Sequence, residues 1–233
     1  RKAKLPARPD EPRLVLTLVD ALPRLRRFGE ARRELEDFLA RNADAHEVRL
    51  RLVEVLSSEG AWSEMLQACA EGIRRRPDRA GDIEARVLAL AADPRAAKKS
   101  NDLLQAGEKD DFALLYLRGL LATASGQADR AEALLRRAVD ADARFVPARM
   151  ALAEIYLKSD RHDEALTVAA RTDADRPEDA RLERVLGQVY DRLDDIENAE
   201  LHNRAATQLD RADTESMLAL AQLYRRSDRG LQA

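Results

Sequence analysis

Apolar residues in this chain recur at helical spacing, and short polar interruptions separate them at regular intervals. Between Ala148 and Leu157 they mark one face of a helix; Ser159-Asp160-Arg161 then forms a polar turn, and Asp163 to Thr172 repeats the helical pattern. Pro177 restricts its predecessor away from helix and opens the way to the next unit. The same pattern recurs along the chain. Ala131, Ala165, Ala199 and Ala233 lie 34 residues apart, as do Gly119, Ala153, Gly187 and Ala221. Tyr156, Tyr190 and Tyr224 keep the interval, and so do Asp160, Asp194 and Asp228. Four columns on one period predict a stacked array of helix pairs.

Working outward from these columns places repeats at 12–45, 46–79, 80–111, 112–145, 146–179 and 180–213, with a truncated unit at 214–233. Leu18, Leu52, Leu152, Leu186 and Leu220 share the seventh position. The third repeat is degenerate and two residues short around Asp93-Pro94, which makes it a candidate bend or joint. Residues 1–11 are basic and interrupted by proline, and read as a linker that could follow a cleaved signal or an anchor. The small-residue columns have a packing reason: a large side chain at a close helix crossing would force the axes apart. Gly187 against Ala199, and Ala153 against Ala165, are the expected crossings, with the tyrosines as larger knobs beside them. Neighbouring pairs then bury one another's apolar faces.

At this resolution the chain resembles the tetratricopeptide repeat family, whose pattern runs W-x2-L-G-x2-Y, then A-x3-F, then P. Residues 180–213 supply Leu186, Gly187, Tyr190 and Ala199, and 146–179 supply Leu152, Ala153, Tyr156, Ala165 and Pro177. The first three units depart from the pattern: Met65 stands at the alanine position, and Val19 and Val53 at the small one. The resemblance implies an all-α fold, a right-handed superhelical solenoid of antiparallel helix pairs forming a single array over 12–233. Pentatricopeptide arrays would be expected to be basic, and the T-P-L-H signature of ankyrin units is absent.

Composition narrows the function. Lys+Arg at 40 against Asp+Glu at 43 is nearly balanced, unlike a nucleic-acid-binding face. No apolar run approaches the roughly 18 residues of a membrane span, so no direct membrane insertion is expected. Only six of the cationic residues are lysine, a bias pointing to a bacterial source. Periplasm, envelope and cytoplasm stay open as compartments. Cys69, the single cysteine, excludes an internal disulfide and reads as a buried structural thiol.

Candidate chemistry is sparse. His46, His162 and His202 fall at different repeat positions and read as solvated or turn-lining residues, with no metal site. Asp191 to Asn198 lacks the alternating order of a calcium loop and reads as a hairpin turn, with Asp194 or Asp195 capping the next helix. No nucleophile elbow, P-loop or dinucleotide fingerprint occurs. Neither enzymatic activity nor a cofactor is expected.

The resemblance further implies that repeat positions 2, 5, 9, 12 and 13 of the first helices line a concave groove. On this chain they give an acidic second repeat (Glu47, Glu54) and an apolar middle of Leu88, Tyr116, Leu120 and Met150. Glu154, Arg181, Arg184, Gln188 and Arg192 form an Arg-rich end, continued by Glu215, Leu218, Gln222, Arg225 and Arg226. Ordinary solvated surface is the competing reading. An apolar floor rimmed by charge suits a peptide or helix, and arginine suits a partner's carboxylates. The lysine–asparagine clamp of the family's chaperone-binding members is missing. The expected function is therefore a non-catalytic scaffold binding another protein. Alternatives are a segment of a bacterial envelope or polysaccharide export machine, and a regulatory module of a larger enzyme. The truncated last unit leaves Leu220 and Tyr224 without a partner, so self-association through that end is also expected.

Overall fold

The computed structural model describes residues 11–21, 27–92, 111–175 and 179–226. Twelve α-helices occur among them, with no strand: α1 (Pro12–Ala21), α2 (Phe28–Arg41), α3 (His46–Glu59), α4 (Trp62–Arg75), α5 (Ala80–Ala91), α6 (Phe112–Ala124), α7 (Ala128–Ala141), α8 (Val146–Lys158), α9 (His162–Asp175), α10 (Ala180–Arg192), α11 (Ile196–Leu209) and α12 (Thr214–Arg226). The fold is all-α, as the spacing predicts. The chain divides into two compact units, residues 1–131 and 132–233. The second helix of the third repeat, the linker over 1–10, Pro177, Asp228 and Ala233 lie outside the described residues.

The aspartate column is explained by backbone geometry. Gly60, Gly126, Asp160 and Asp194 all have positive φ, at 74°, 72°, 56° and 59°. Each follows the first helix of a hairpin, where the chain must turn left-handed before the second helix starts. In all four hairpins the residue after it donates its N–H five residues back: Ala61 to Leu56, Gln127 to Ala122, Arg161 to Tyr156 and Asp195 to Tyr190, each at 2.9 Å. These bonds satisfy carbonyls the helix end would leave unpaired. Glycine is the cheapest residue in this conformation and aspartate one of the next cheapest. Asp195, not Asp194, caps α11, its carboxylate accepting the Asn198 N–H at 3.2 Å.

In the first unit Leu35 and Phe38 of α2, Val48 and Leu56 of α3, Met65 and Ile73 of α4 and Ile83 of α5 are at most 1% exposed. Cys69 lies in this core, where burial pushes its thiol up to about 12. That is the inert structural cysteine expected. In the second unit Leu182, Val185, Leu186 and Val189 form the buried stripe of α10, and Ala153, Ala165, Ala199 and Ala206 are wholly covered.

One crossing differs in detail from the expectation. The atoms that a side chain at Gly187 would meet first belong to Asn203, one turn beyond Ala199. A Cβ at Gly187 would lie 2.5 Å from Asn203 Nδ2. That amide cannot easily retreat, because Asn203 is fully buried and donates to the Ala199 carbonyl at 2.8 Å. The terminal helix also corrects an expectation. Tyr224 is 4% exposed and its hydroxyl accepts from Arg204 Nε at 2.8 Å, so it does have a partner. The large apolar residues of α12 left exposed are Met217 and Leu218.

Gly187→Ala should therefore lower the unfolding free energy by about 1–3 kcal/mol through overpacking against Asn203. Urea denaturation reads this directly, and an unchanged midpoint would mean that the α10–α11 crossing is looser than described.

Candidate functional site

The apolar positions projected onto the groove separate on burial. Tyr116, Leu120 and Met150 are 0%, 7% and 1% exposed, whereas Leu88 is 45% exposed. The first three are core residues, not an exposed floor, which corrects that part of the sequence reading. Repeat position fixes the direction in which a side chain leaves the helix, but not how deeply neighbouring elements cover it. The Tyr116 hydroxyl donates to Glu84, so even its polar tip is engaged.

In the first unit a shallow concavity of about 310 Å³ is lined by Leu16, Asp20, Glu47, Leu50, Arg51, Glu54 and Arg86. Its cations are already committed. Arg51 bonds Asp20, and bonds Glu54 at 2.7 Å; Arg86 donates to Glu54 at 3.1 Å and to the Asp82 carbonyl at 2.6 Å. The Asp20–Arg51–Glu54–Arg86 ladder ties α1, α3 and α5 together. Glu54's hydrogen bond also raises the Arg51 guanidinium above its ordinary pKa.

The second unit holds a larger cavity of about 510 Å³ between α8, α10 and α12. Four of the nine predicted site residues line it: Glu154, Arg184, Gln188 and Arg192. Glu215, Leu218 and Gln222, from the same projection, join them, as do Lys158 and Asp191. Arg181 stands just outside, donating to Glu154 at 3.1 and 3.2 Å. Positions 9 and 13 of one repeat, 5, 9, 12 and 13 of the next and 2, 5 and 9 of the last thus converge, because consecutive first helices pack side by side.

Charge around this cavity is balanced, but hydrogen bonding is not. The acids Glu154 and Asp191 are held by Arg181 and Arg226, the latter at 2.8 Å. Arg226 also reaches Asp194 at 3.2 Å. By contrast, among the described residues the Arg184 side chain has only ion-pair contacts, 3.6 Å to Asp213 and 3.5 Å to Glu215, beyond ordinary hydrogen-bond distance. Arg192 meets Asp160 at 3.9 Å, both side chains being largely exposed. The side chains of Lys158 and Gln188 make no hydrogen bond among the described residues. The cavity therefore offers uncommitted donors beside two committed carboxylates, Glu154 and Asp191, with Leu157 and Leu218 as apolar neighbours.

Asp213 braces this arrangement. It is 6% exposed and accepts from Ser216, through the backbone at 3.2 Å and the hydroxyl at 2.8 Å. Burial would raise its carboxyl; the Ser216 bonds and the nearby Arg184 charge prevail, leaving it below the usual range.

Of the histidines expected to be solvated or turn-lining, His162 directly follows the Asp160-Arg161 turn, whereas His46 and His202 are engaged with acids. His46 is 8% exposed and its Nε2 lies 3.1 Å from Asp82; His202 Nδ1 lies 2.8 Å from Glu183, and its ring stacks on Tyr190 at 5.2 Å. A further recurring network escaped notice in the sequence. Glu132, Arg136 and Tyr156 reappear 68 residues later as Glu200, Arg204 and Tyr224. In both, arginine Nε donates to the tyrosine hydroxyl at 2.8 Å and pairs with the glutamate one turn before it. Among the described residues no cluster of three or more potential metal ligands occurs, and no helix is long and apolar enough to cross a membrane.

Helix pairs on a fixed period, with a cavity built from successive first helices, define a helical-repeat protein. Two family profiles, both described as tetratricopeptide repeat, match residues 16–80 and 122–189, together more than half of the chain. The chain belongs to the tetratricopeptide repeat family, whose members are generally non-catalytic scaffolds for protein interaction. Its fold is similar to that of YrrB, described as a tetratricopeptide repeat protein with an unusual peptide-binding site (TM-score 0.51, 19% identity, 79% of this chain and 96% of that one). It is also similar to PilW, a widely conserved type IV pilus biogenesis factor (0.53, 16%, 89% and 97%), and to MamA (0.53, 19%, 64% and 89%). No curated protein matches the chain.

Because Tyr116 is core, Tyr116→Ala should cost about 3–5 kcal/mol of stability, like other large aromatic truncations. Thermal or urea denaturation checks this; a variant as stable as the parent would return Tyr116 to the surface.

Proposed function

We propose that the second unit is a docking site for an acidic, partly apolar segment of another protein, held between α8, α10 and α12. The observation that supports this reading most is the division of labour among the charged side chains. Arginines just outside the cavity, Arg181 and Arg226, are hydrogen-bonded to its Glu154 and Asp191 carboxylates, while among the described residues the side chains of Lys158, Arg184, Gln188 and Arg192 inside make no hydrogen bond. A partner's glutamate or aspartate would find a planar guanidinium fork and an ammonium already in place. An adjacent apolar side chain would cover Leu218, 61% exposed on α12. Such pre-positioned donors favour electrostatic steering, so association should be fast and salt-sensitive. Arg181 holds Glu154 in this reading and does not touch the ligand. Leu88 is not part of this docking site.

The test is fluorescence anisotropy with a labelled peptide of alternating glutamate and leucine, alongside its glutamine analogue. The parent should bind the glutamate peptide, weakening as salt rises, and bind the glutamine peptide less well. Arg184→Glu or Lys158→Glu should each reduce affinity by about tenfold or more. Arg211→Glu, an equal charge change at an exposed site away from the cavity, should have little effect. Equal losses in all three variants, or tighter binding of a single-stranded oligonucleotide than of the peptide, would overturn the proposal.

A further inference from the structure

Resting on the reading just given, the two carboxylates paired with Arg184 at the edge of this cavity are not equivalent. Asp213 is fixed: its side chain is 3% exposed, and both oxygens accept from Ser216 at the start of α12. Glu215 is loose: its side chain is 67% exposed, lies 3.5 Å from Arg184 Nε, and makes no hydrogen bond among the described residues. The Arg184 side chain itself is 26% exposed, with its Nη1 near the fixed acid and its Nε near the loose one. Glu215 also lines the cavity, one turn before the exposed Leu218 on the same helix.

We infer that Glu215 is a resident stand-in for the ligand's carboxylate, which an incoming acidic side chain must displace from Arg184. Asp213, fixed by Ser216, keeps a negative charge 3.6 Å from the guanidinium throughout, which favours Arg184 staying beside the cavity when Glu215 swings out. An exposed glutamate with no hydrogen bond gives up only a screened ion-pair contact on leaving. A ligand carboxylate seated in its place gains the geometry that Glu215 lacks, with Gln188 alongside and an apolar neighbour over Leu218. The arrangement sets a threshold. Neutral peptides gain nothing from displacing Glu215, whereas acidic ones exchange a long contact for a short one, which sharpens discrimination between them.

Glu215→Gln keeps the shape and removes the competing charge. In the anisotropy assay it should tighten binding of the glutamate peptide by about two- to fivefold, the range of an exposed ion pair. Binding of the glutamine peptide should not change. In an Arg184→Gln background the gain should vanish, because the two residues act on one another. Asp210→Asn removes an equal charge at an exposed site and should give no gain. Thermal melts should show Glu215→Gln folded like the parent. A parent that binds the glutamate peptide while Glu215→Gln brings no gain would overturn the inference and leave the docking site standing. So would a gain that persists without Arg184, which would mark a general field effect. Failure of every variant to bind the glutamate peptide would overturn the docking site and this inference with it.

Discussion

A pair of helices in a repeat of about 34 residues has too little interior to bury its own apolar faces, so each pair depends on its neighbours. Close approach of the two helices within each pair is the constraint from which the rest follows. It requires small residues at the crossing, hence the wholly buried Ala153, Ala165 and Ala199. It also requires a tight left-handed turn between the helices, hence Gly60, Gly126, Asp160 and Asp194 in the same backbone conformation. With turn and crossing fixed, first helices lie side by side, and residues 27 to 35 positions apart meet. Arg51 with Asp20, Arg86 with Glu54, Arg181 with Glu154 and Arg226 with Asp191 all span such intervals.

Those inter-repeat pairs do two kinds of work. In the first unit the ladder through Arg51 and Arg86 uses its cations to join three helices. In the second unit the pairing stops at the edge of the cavity, and the donors within it are left without close acceptors. Surface ion pairs of this kind contribute little stability one by one. Their effect here is geometric: an arginine held by one carboxylate cannot reach for another, and one held only at long range can.

Much of the fold was legible from columns alone, because small residues, turn aspartates and tyrosines must recur wherever the same crossing recurs. The helix pair at 146–179 appeared nearly as read, extended by one to three residues at its ends to Val146–Lys158 and His162–Asp175. The site was legible in part. Repeat positions brought Glu154, Arg184, Gln188 and Arg192 to one cavity, since direction from a helix axis is a local property. Depth is not local, so Tyr116 and Met150 hold groove positions and are nevertheless core. Nor could position alone say which arginines are spent, because that depends on acids in another repeat. His202 illustrates the same limit: its partners Glu183 and Tyr190 sit on the facing helix. The Glu–Arg–Tyr network did leave a signal in its 68-residue recurrence, twice the repeat, hidden because Leu166 and Ala170 interrupt it in the unit between.

The central claim is that hydrogen-bond commitment, not charge, distinguishes the arginines of the second unit. Arginine side-chain NMR tests it most directly, by following the Nε–Hε signals of the protein as an acidic peptide is added. The Arg184 signal should shift strongly while those of Arg181, Arg204 and Arg226 stay in place. Shifts spread evenly over all four, or confined to the arginines outside the cavity, would contradict it.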